Sequence, residues 1–516
     1  MSLEEARTTQ VASIGRVVAA VCVIAGCSMS ASATLNYMVE PMSADLGLTS
    51  SQLNNALAIP SIASLLVVFL AGTLGDRLGQ RRVLLVAVVV FTLGSIGVLF
   101  ANGQVLLSLG LLLEGMAATV MSVVALGLLG SSITDDGQRA NAFATYGTIS
   151  PIIYLFLPLF AGWIIGVFSW RVVPGAWIVL GVLGAAATLF LLPKSQRART
   201  SGELYTPLLA GLVLAAIVQT LSHLGDSGST PTRSILSGIV ALVSIAVLIA
   251  IWRRSSAPTL SITPLKRGAT TLLLVVVLLV PFANTWYYLT LAFQYLMGFD
   301  SLQTAIAMVP AQIAGIIGAK LLAGPLMRRL GVRRSGVLLL GLLAIGLFSL
   351  LVIQADSPAW LLSCCAVVFG MGTVGAGVVI TNAILSTAPP SESGNTSAYR
   401  SAASSIGVAL GFIIMGSLVF GTVQSSLTNR LEAAGLDATQ VSQEITYLQQ
   451  STQNPDQITQ QAIPLPEGTN PDQLAKESMV DGLHVNSLVG GAVAVLAALL
   501  FATFRHRLPA REPGAR

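Results

Sequence analysis

Gly72-Thr73-Leu74-Gly75-Asp76-Arg77-Leu78-Gly79-Gln80-Arg81-Arg82 is a short charged interruption between two long apolar runs. Exactly the same spacing of Gly, Gly and paired Arg returns 252 residues later, in Gly324-Pro325-Leu326-Met327-Arg328-Arg329-Leu330-Gly331-Val332-Arg333-Arg334. A repeat of this period points to two related helical bundles joined in one chain. The glycines permit a tight turn and close approach of helices. Asp76 can pair with nearby Arg or cap a helix N-terminus on the facing bundle, a polar latch that would hold one orientation of the two. In the second copy Arg328 stands where the first has Asp76.

Outward from these loops the chain is overwhelmingly apolar. Of 516 residues 54% are hydrophobic and 9% charged, against roughly 25% charged in soluble domains. So few charges cannot cover the surface of a water-soluble protein of this length, and lipid is the expected solvent. Stretches of about 18 or more mainly apolar residues, each read as one crossing, lie near 14–37, 53–74, 83–101, 105–129, 142–166 and 172–192. Two more follow near 206–224 and 234–252, then six near 270–296, 303–326, 335–354, 359–386, 397–423 and 483–503. The fold expected is all-α and integral to the membrane: residues 1–192 as a six-helix bundle, 193–266 as two inserted spans, and 267–516 as a second six-helix bundle, fourteen transmembrane helices in total.

Basic residues fix the expected orientation. With the N-terminus inside, 22 of the 27 Lys and Arg fall in cytoplasmic segments or at their edges, as the positive-inside rule requires. Both termini are then cytoplasmic, in a multi-pass protein of the inner (cytoplasmic) membrane. The basic clusters alternate with apolar runs instead of sharing one face, so no nucleic-acid partner is expected. Residues 424–482 break the pattern of short loops: they are Gln-rich and carry eight Asp and Glu against Arg430 and Lys476. Leu427, Leu431, Ala434, Val441, Ile445 and Leu448 recur there at helical spacing, which suggests a helix or helical hairpin over the extracellular mouth, with a linker in the second half as the alternative. The four cysteines all lie in apolar runs, so neither disulfides nor a metal site are indicated. The first apolar run reads as a retained span, not a cleaved leader.

The charge-bearing positions within the spans are few. Glu114 is the only acidic residue well inside the bilayer, about ten residues or 15 Å into the fourth span. A charged group there is costly, so function is the default reading. Lipid favours the neutral carboxyl and water the charged one, as a proton carrier needs; the alternatives are a permanently neutral Glu bonded to a neighbouring helix, or a substrate contact. Lys320, deep in the tenth span, either snorkels to the cytoplasm or faces the cavity, where a bridge to Glu114 is geometrically strained. Arg16 and Arg400 read as headgroup anchors at span ends. The ninth span holds Asn284, Trp286, Tyr287, Tyr288 and Gln294, a polar and aromatic set suited to a ligand pocket. Ser32, Asn36, Tyr37, Asn54, Asn55, Tyr154, Gln312 and Asn382 are the other candidates for its lining.

The loop from Gly72 to Arg82 resembles the signature of the major facilitator superfamily, G-x-L-x-D-R-x-G-x-R-R, at Gly72, Leu74, Asp76, Arg77, Gly79, Arg81 and Arg82. Two inserted helices and a long outer loop before the last span are similar to its fourteen-span EmrB/QacA-type drug:proton antiporter branch. Three positions depart from that branch. Ser32 stands where its first span usually has Asp, Leu111-Leu-Leu-Glu114-Gly115 replaces an Arg-containing motif in the fourth span, and Pro158 and Gly162 are what remain of the fifth-span antiporter motif. The resemblance implies a proton-coupled exporter of hydrophobic or amphiphilic small molecules, of multidrug efflux type, working by alternating access as a monomer; the alternative is a transporter of an endogenous lipid or metabolite. An enzyme is not expected, since no nucleophile and base pair or metal-ligand set occurs in the spans. No cofactor is expected either, and ATP is not implied because there is no nucleotide-binding loop.

Overall fold

A computed structural model describes residues 3–48, 50–133, 135–193, 204–225, 231–254, 263–283, 285–299, 301–388, 392–436, 440 and 470–504. Among them every regular element is helical. In chain order they are α1 (Leu3–Leu46), α2 (Ser50–Leu78), α3 (Gln80–Leu99), α4 (Gln104–Ser132), α5 (Asp136–Gly147), α6 (Ile149–Val167), α7 (Val172–Phe190), α8 (Tyr205–Gly225) and α9 (Pro231–Arg254). Then come α10 (Thr263–Lys266), α11 (Gly268–Leu279), α12 (Trp286–Tyr295), α13 (Ser301–Ile317), α14 (Gly324–Ser349), α15 (Ala359–Ser386), α16 (Ser393–Ala433) and α17 (Pro471–Thr503).

Eleven helical stretches among the described residues are long and apolar enough to cross a membrane. One of them, Leu302–Val352, has 51 residues, about 77 Å of helix at 1.5 Å per residue, more than twice the roughly 30 Å bilayer core. Gly331 breaks it with φ 78° and ψ 165°. Gly79, 252 positions earlier, has φ 88° at the start of α3. The two copies of the repeat thus place a left-handed glycine at the same turn, where a side chain would be strained. The inserted helices α8 and α9 contribute shorter apolar stretches, Tyr205–Thr220 and Gly238–Ala250. α8 packs on both α2 and α16, with Gly211 pressed on the backbone of Leu65 and Leu66.

Two spans that read as continuous are broken. The fifth is split at Thr148 into α5 and α6. The ninth passes from α11 through a 3-10 turn, Val280–Ala283, to α12; Pro281 there has no N–H to give. Asn486 of α17 donates to Thr285 at 3.1 Å beside the break. Between α13 and α14 the residues Gly318–Ala323 form a π-helical turn that contains Lys320.

Two apolar cores hold the bundle. One lies within α1–α7 around Phe91, Leu111 and Trp177, with Trp177 donating its indole N–H to Thr34 at 3.0 Å. The other lies mainly in α11–α17 and extends to α2, α4, α5 and α8. The last two spans run past the expected bilayer limits: α16 reaches Ala433 and α17 starts at Pro471. Their projecting ends are joined by Leu427, Leu431, Leu436 and Leu474. Arg430 pairs there with Glu477 and, at 3.1 Å, with Asp481. The ends of the 424–482 segment are therefore helix extensions packed side by side, and Val441, Ile445 and Leu448 lie outside the described residues.

Candidate functional site

The end of the bundle carrying Arg77–Arg82 and Arg328–Arg334 is the basic end, and α2, α4, α5 and α6 of the first half pack against α13–α16. Gly72 of α2 faces Gly394 and Ala398 of α16 so closely that a Cβ would lie 2.5 Å from the Gly394 carbonyl oxygen. One turn on, Asp76 accepts hydrogen bonds from the backbone N–H groups of Gly394 and Asn395, in the first turn of α16, where orphan N–H groups and the helix dipole attract an anion. Ser397 donates to the Val123 carbonyl of α4 at 2.9 Å, and Phe69 meets Tyr399 edge-on at 5.3 Å between ring centroids. On the opposite side of the interface Gly147 packs on Val378, Gly315 on Val374 and Pro151, and Gly324 on Ala144. Gly72, Asp76, Gly147 and Gly324 lie toward the basic end; the main contacts of α1 and α12 are with helices of their own halves.

The other residues of the signature loop act locally. Arg81 donates to the carbonyls of Thr188 and Leu189 at 3.2 and 2.7 Å, closing the C-terminal end of α7, where cations are favoured. Arg77 is half-buried, while Arg82 and Arg328 are exposed. Glu392, just before α16, pairs with Arg267 at 2.9 Å, and Thr270 is hydrogen-bonded to Thr387 at 2.7 Å.

This packing is the seal between the halves. Tyr154 lies one turn beyond Pro151 on α6, and Gln312 one turn from Gly315 on α13, so both look along the seam where Pro151 and Gly315 meet. Tyr154 is exposed and hydrogen-bonded to exposed Ser32 at 3.2 Å. Tyr37 and Tyr287 are exposed as well. Trp286 packs edge-on against Phe369 of α15, and Gln294 is half-buried. Two expected lining residues do not face an opening. Tyr288 is 3% exposed among Met415 and Val419 of α16, and Asn382 is 2% exposed with its amide on the Met327 sulfur at 3.4 Å. Both were placed by polarity alone, and helix rotation turns them into the second half's own packing. Asn284 and the side chains of Asn36, Asn54 and Asn55 lie outside the described residues. Pro158 is buried within α6, and Gly162 has open space around it.

Glu114 is 5% exposed. It sits within the first half, in electrostatic reach of Cys27 of α1 and beside Gly94 of α3, whose close approach to the Glu114 backbone admits no side chain. Among the described residues no donor or cation pairs with its carboxyl group. Lys320 does not reach it: its ammonium donates to Asn141 at 3.2 Å and Thr145 at 2.5 Å, both on α5. Arg400 is no headgroup anchor. It is half-buried behind the seal, donating Nε to Thr381 at 2.9 Å, in electrostatic reach of Tyr146. Its nearness to a helix start concealed this from the sequence, because the residues that enclose it come from α5 and α15.

Residues 21–412 match the Major Facilitator Superfamily. The Multidrug resistance protein Stp of Mycobacterium tuberculosis is 27% identical over 86% of this chain and 83% of its own. The Tetracenomycin C resistance and export protein of Streptomyces glaucescens is 23% identical over 83% of this chain and 80% of its own. Among solved structures, the human organic anion transporter MFSD10 superposes with a TM-score of 0.61 at 11% identity, covering 95% of this chain and 99% of that one. A proton:xylose symporter, XylE, superposes at 0.57 and 13% identity, over 96% and 95%. With a paired Gly-rich loop, an all-helical membrane fold and two halves meeting at one end, this chain is a multi-pass membrane transporter of small molecules, not an enzyme, and it belongs to the Major Facilitator Superfamily.

Proposed function

We propose that the chain is a proton-coupled exporter of hydrophobic or amphiphilic small molecules, a drug:proton antiporter working by alternating access. In this reading two six-helix bundles, residues 1–192 and 267–516, rock about a central cleft, and α8 and α9 complete fourteen crossings. The basic end is cytoplasmic, with both termini, because short basic loops stay inside. The observation that carries the proposal is the close packing of the halves at that end, Gly72 on Gly394 and Asp76 on the first turn of α16. A seal at the inner end belongs to one of the two states that alternating access requires. Gly72, Asp76, Arg77, Gly79, Arg81 and Arg82, with Gly324, Arg328 and Gly331, form the switch region. Glu114 is the proton site: a carboxyl deep in the bilayer with no partner among the described residues to fix its charge gains and loses a proton with access to water.

Reconstituted protein with an imposed pH gradient tests this with two dyes of one ring system, cationic rhodamine 6G and anionic fluorescein. The expected result is gradient-driven movement of at least one dye, lost in Glu114→Gln while dye binding persists. Wild-type protein that moves neither dye, or a Glu114→Gln variant that retains gradient-driven transport, would refute the transport or the coupling assignment respectively.

A further inference from the structure

We propose that the turn Arg328–Arg334 is a docking surface for the phosphate headgroups of anionic phospholipids in the leaflet at the basic end. Such a surface depends on the chain spanning a membrane and not on what it transports.

The two copies of the repeated loop share a backbone turn and differ in what their charges meet. In the first copy Arg77, Arg81 and Arg82 stand against Asp76, a net charge of +2. Most of that charge is spent within the protein: Asp76 caps α16, Arg81 closes the end of α7, and Arg77 is half-buried. In the second copy four arginines fall within seven residues with no acid among them, a charge of +4. Arg328, Arg329, Arg333 and Arg334 are all exposed, and none has a hydrogen bond or ion pair among the described residues. No Asp or Glu occurs between Asp300 and Asp356, so α13 and α14 supply no counter-charge. Four guanidiniums around one tight turn repel one another, and each keeps five N–H donors to offer.

The exposed apolar stripes of the two arms lead to this turn. Ile306, Ile313 and Leu321 are exposed at spacings of seven and eight residues along α13 and the π-helical turn, and seven residues further on Arg328 is exposed too, on the same face. On the returning arm Arg334 begins a stripe that exposed Leu338, Ile345 and Val352 continue. From Ile306 to Arg328 is about 33 Å of helix, and from Arg334 to Val352 about 27 Å, against a hydrocarbon core of roughly 30 Å. Each arginine therefore lies one core thickness from the far end of its stripe, at the level of the headgroups whose acyl chains cover the stripe.

A phospholipid seated there lays its chains on the apolar stripe and its phosphate among the guanidiniums, which bind phosphate oxygens through paired N–H groups. A cluster of four basic residues at the end of a span attracts anionic headgroups by charge alone, and the stripes supply the apolar part of the fit. Arg82 of the first copy also stands at the foot of exposed residues, Val86 and Leu93, but it stands alone, with Arg81 turned to α7. Both loops carry the positive charge that orients a span; only the second leaves all of it unspent.

Lipid retention by purified full-length protein in detergent, read by native mass spectrometry, tests this with phosphatidylglycerol and phosphatidylcholine of identical acyl chains. Wild type is expected to hold phosphatidylglycerol about tenfold tighter or more, the scale of two or more basic side chains beside one anionic headgroup. Neutralising Arg328, Arg329, Arg333 and Arg334 together to Gln is expected to shrink the preference to about twofold or less, whereas changing the same four to Lys retains most of it. Arg82→Gln leaves it within about twofold of wild type. Melting in lipid-free detergent shows whether the neutralised protein is folded. If it is not, Arg328→Gln with Arg329→Gln, and Arg333→Gln with Arg334→Gln, are read as separate pairs, each expected to lower the preference about threefold. A wild type without the preference overturns the lipid surface, as does a folded neutralised protein that keeps it. Displacement of the lipid by glycerol 3-phosphate would make this a site for free phosphate and overturns the lipid assignment. Lipid retention reads this surface and dye transport reads the proposed function, so either can fail without the other.

Discussion

Replacing Gly72 by Ala inserts one methyl group where α2 and α16 touch. Its Cβ would lie 2.5 Å from the Gly394 carbonyl oxygen and 2.9 Å from the Ala398 Cβ. Relaxed contacts between such atoms lie at about 3.5–4.0 Å, so the helices must part by roughly 1 Å. Neither contact has a flexible end that can swing aside. Overpacking of this kind costs about 1–3 kcal/mol, and the cost falls on the sealed state alone, since a separated interface leaves the methyl in open space. At about 1.4 kcal/mol per decade, the sealed-to-open ratio drops by roughly 5- to 150-fold. Spin labels at Arg82 and Arg329, exposed positions on opposite halves of the basic end, in a background lacking Cys22, Cys27, Cys364 and Cys365, measure that ratio by pulsed electron resonance. A longer distance is expected to grow at the expense of the sealed one. Gly377→Ala, where a Cβ meets nothing within 4 Å, is the control and leaves the distances as they are. If Gly72→Ala also leaves them unchanged in folded protein, the α2–α16 contact does not hold the seal.

Asp76→Asn keeps an acceptor but removes the charge facing the first turn of α16, so the same labels should report a smaller loss of the sealed state, about 0.3–2 kcal/mol. Gly331→Ala forces a side chain into φ 78° and is expected to lower thermal stability in detergent by about 1–2 kcal/mol, with no change in dye selectivity; an unshifted melting curve would contradict the strained turn. Arg430→Ala removes a partner from both Glu477 and Asp481, but the pair is about a third exposed, so a loss below about 1 kcal/mol is expected, shrinking in high salt. A large, salt-independent loss would mean that packing by the Arg430 stem, not charge, joins α16 to α17.

The membrane fold and the doubled loop were legible because each rests on local physics. Apolar length marks a span, and Gly79 and Gly331 mark the same left-handed turn in both halves. The breaks in the fifth and ninth spans were not, since hydropathy does not register backbone hydrogen bonding; only Pro281 carried a signal, and the Asn486 amide that meets Thr285 beside the break comes from a helix two hundred positions away. The surroundings of Lys320 and Arg400 were not legible, because depth counted along one helix says nothing of what the neighbouring helices bring to it: Asn141 and Thr145 from α5 for the one, Thr381 from α15 for the other. Asn382 and Tyr288 show the converse: polarity within a span singled them out, yet each spends its side chain on packing inside the second half.

The placement of α8 makes the two contact lines between the halves unequal. The halves meet where α2 packs on α16 and where α6 packs on α13. α8 lies across the first, its backbone at Gly211 set against α2 without room for a side chain, so that line is covered from the lipid side. The second has no such cover among the described residues, so any relative movement of α2 and α16 must carry or release a third helix, whereas movement of α6 against α13 need not.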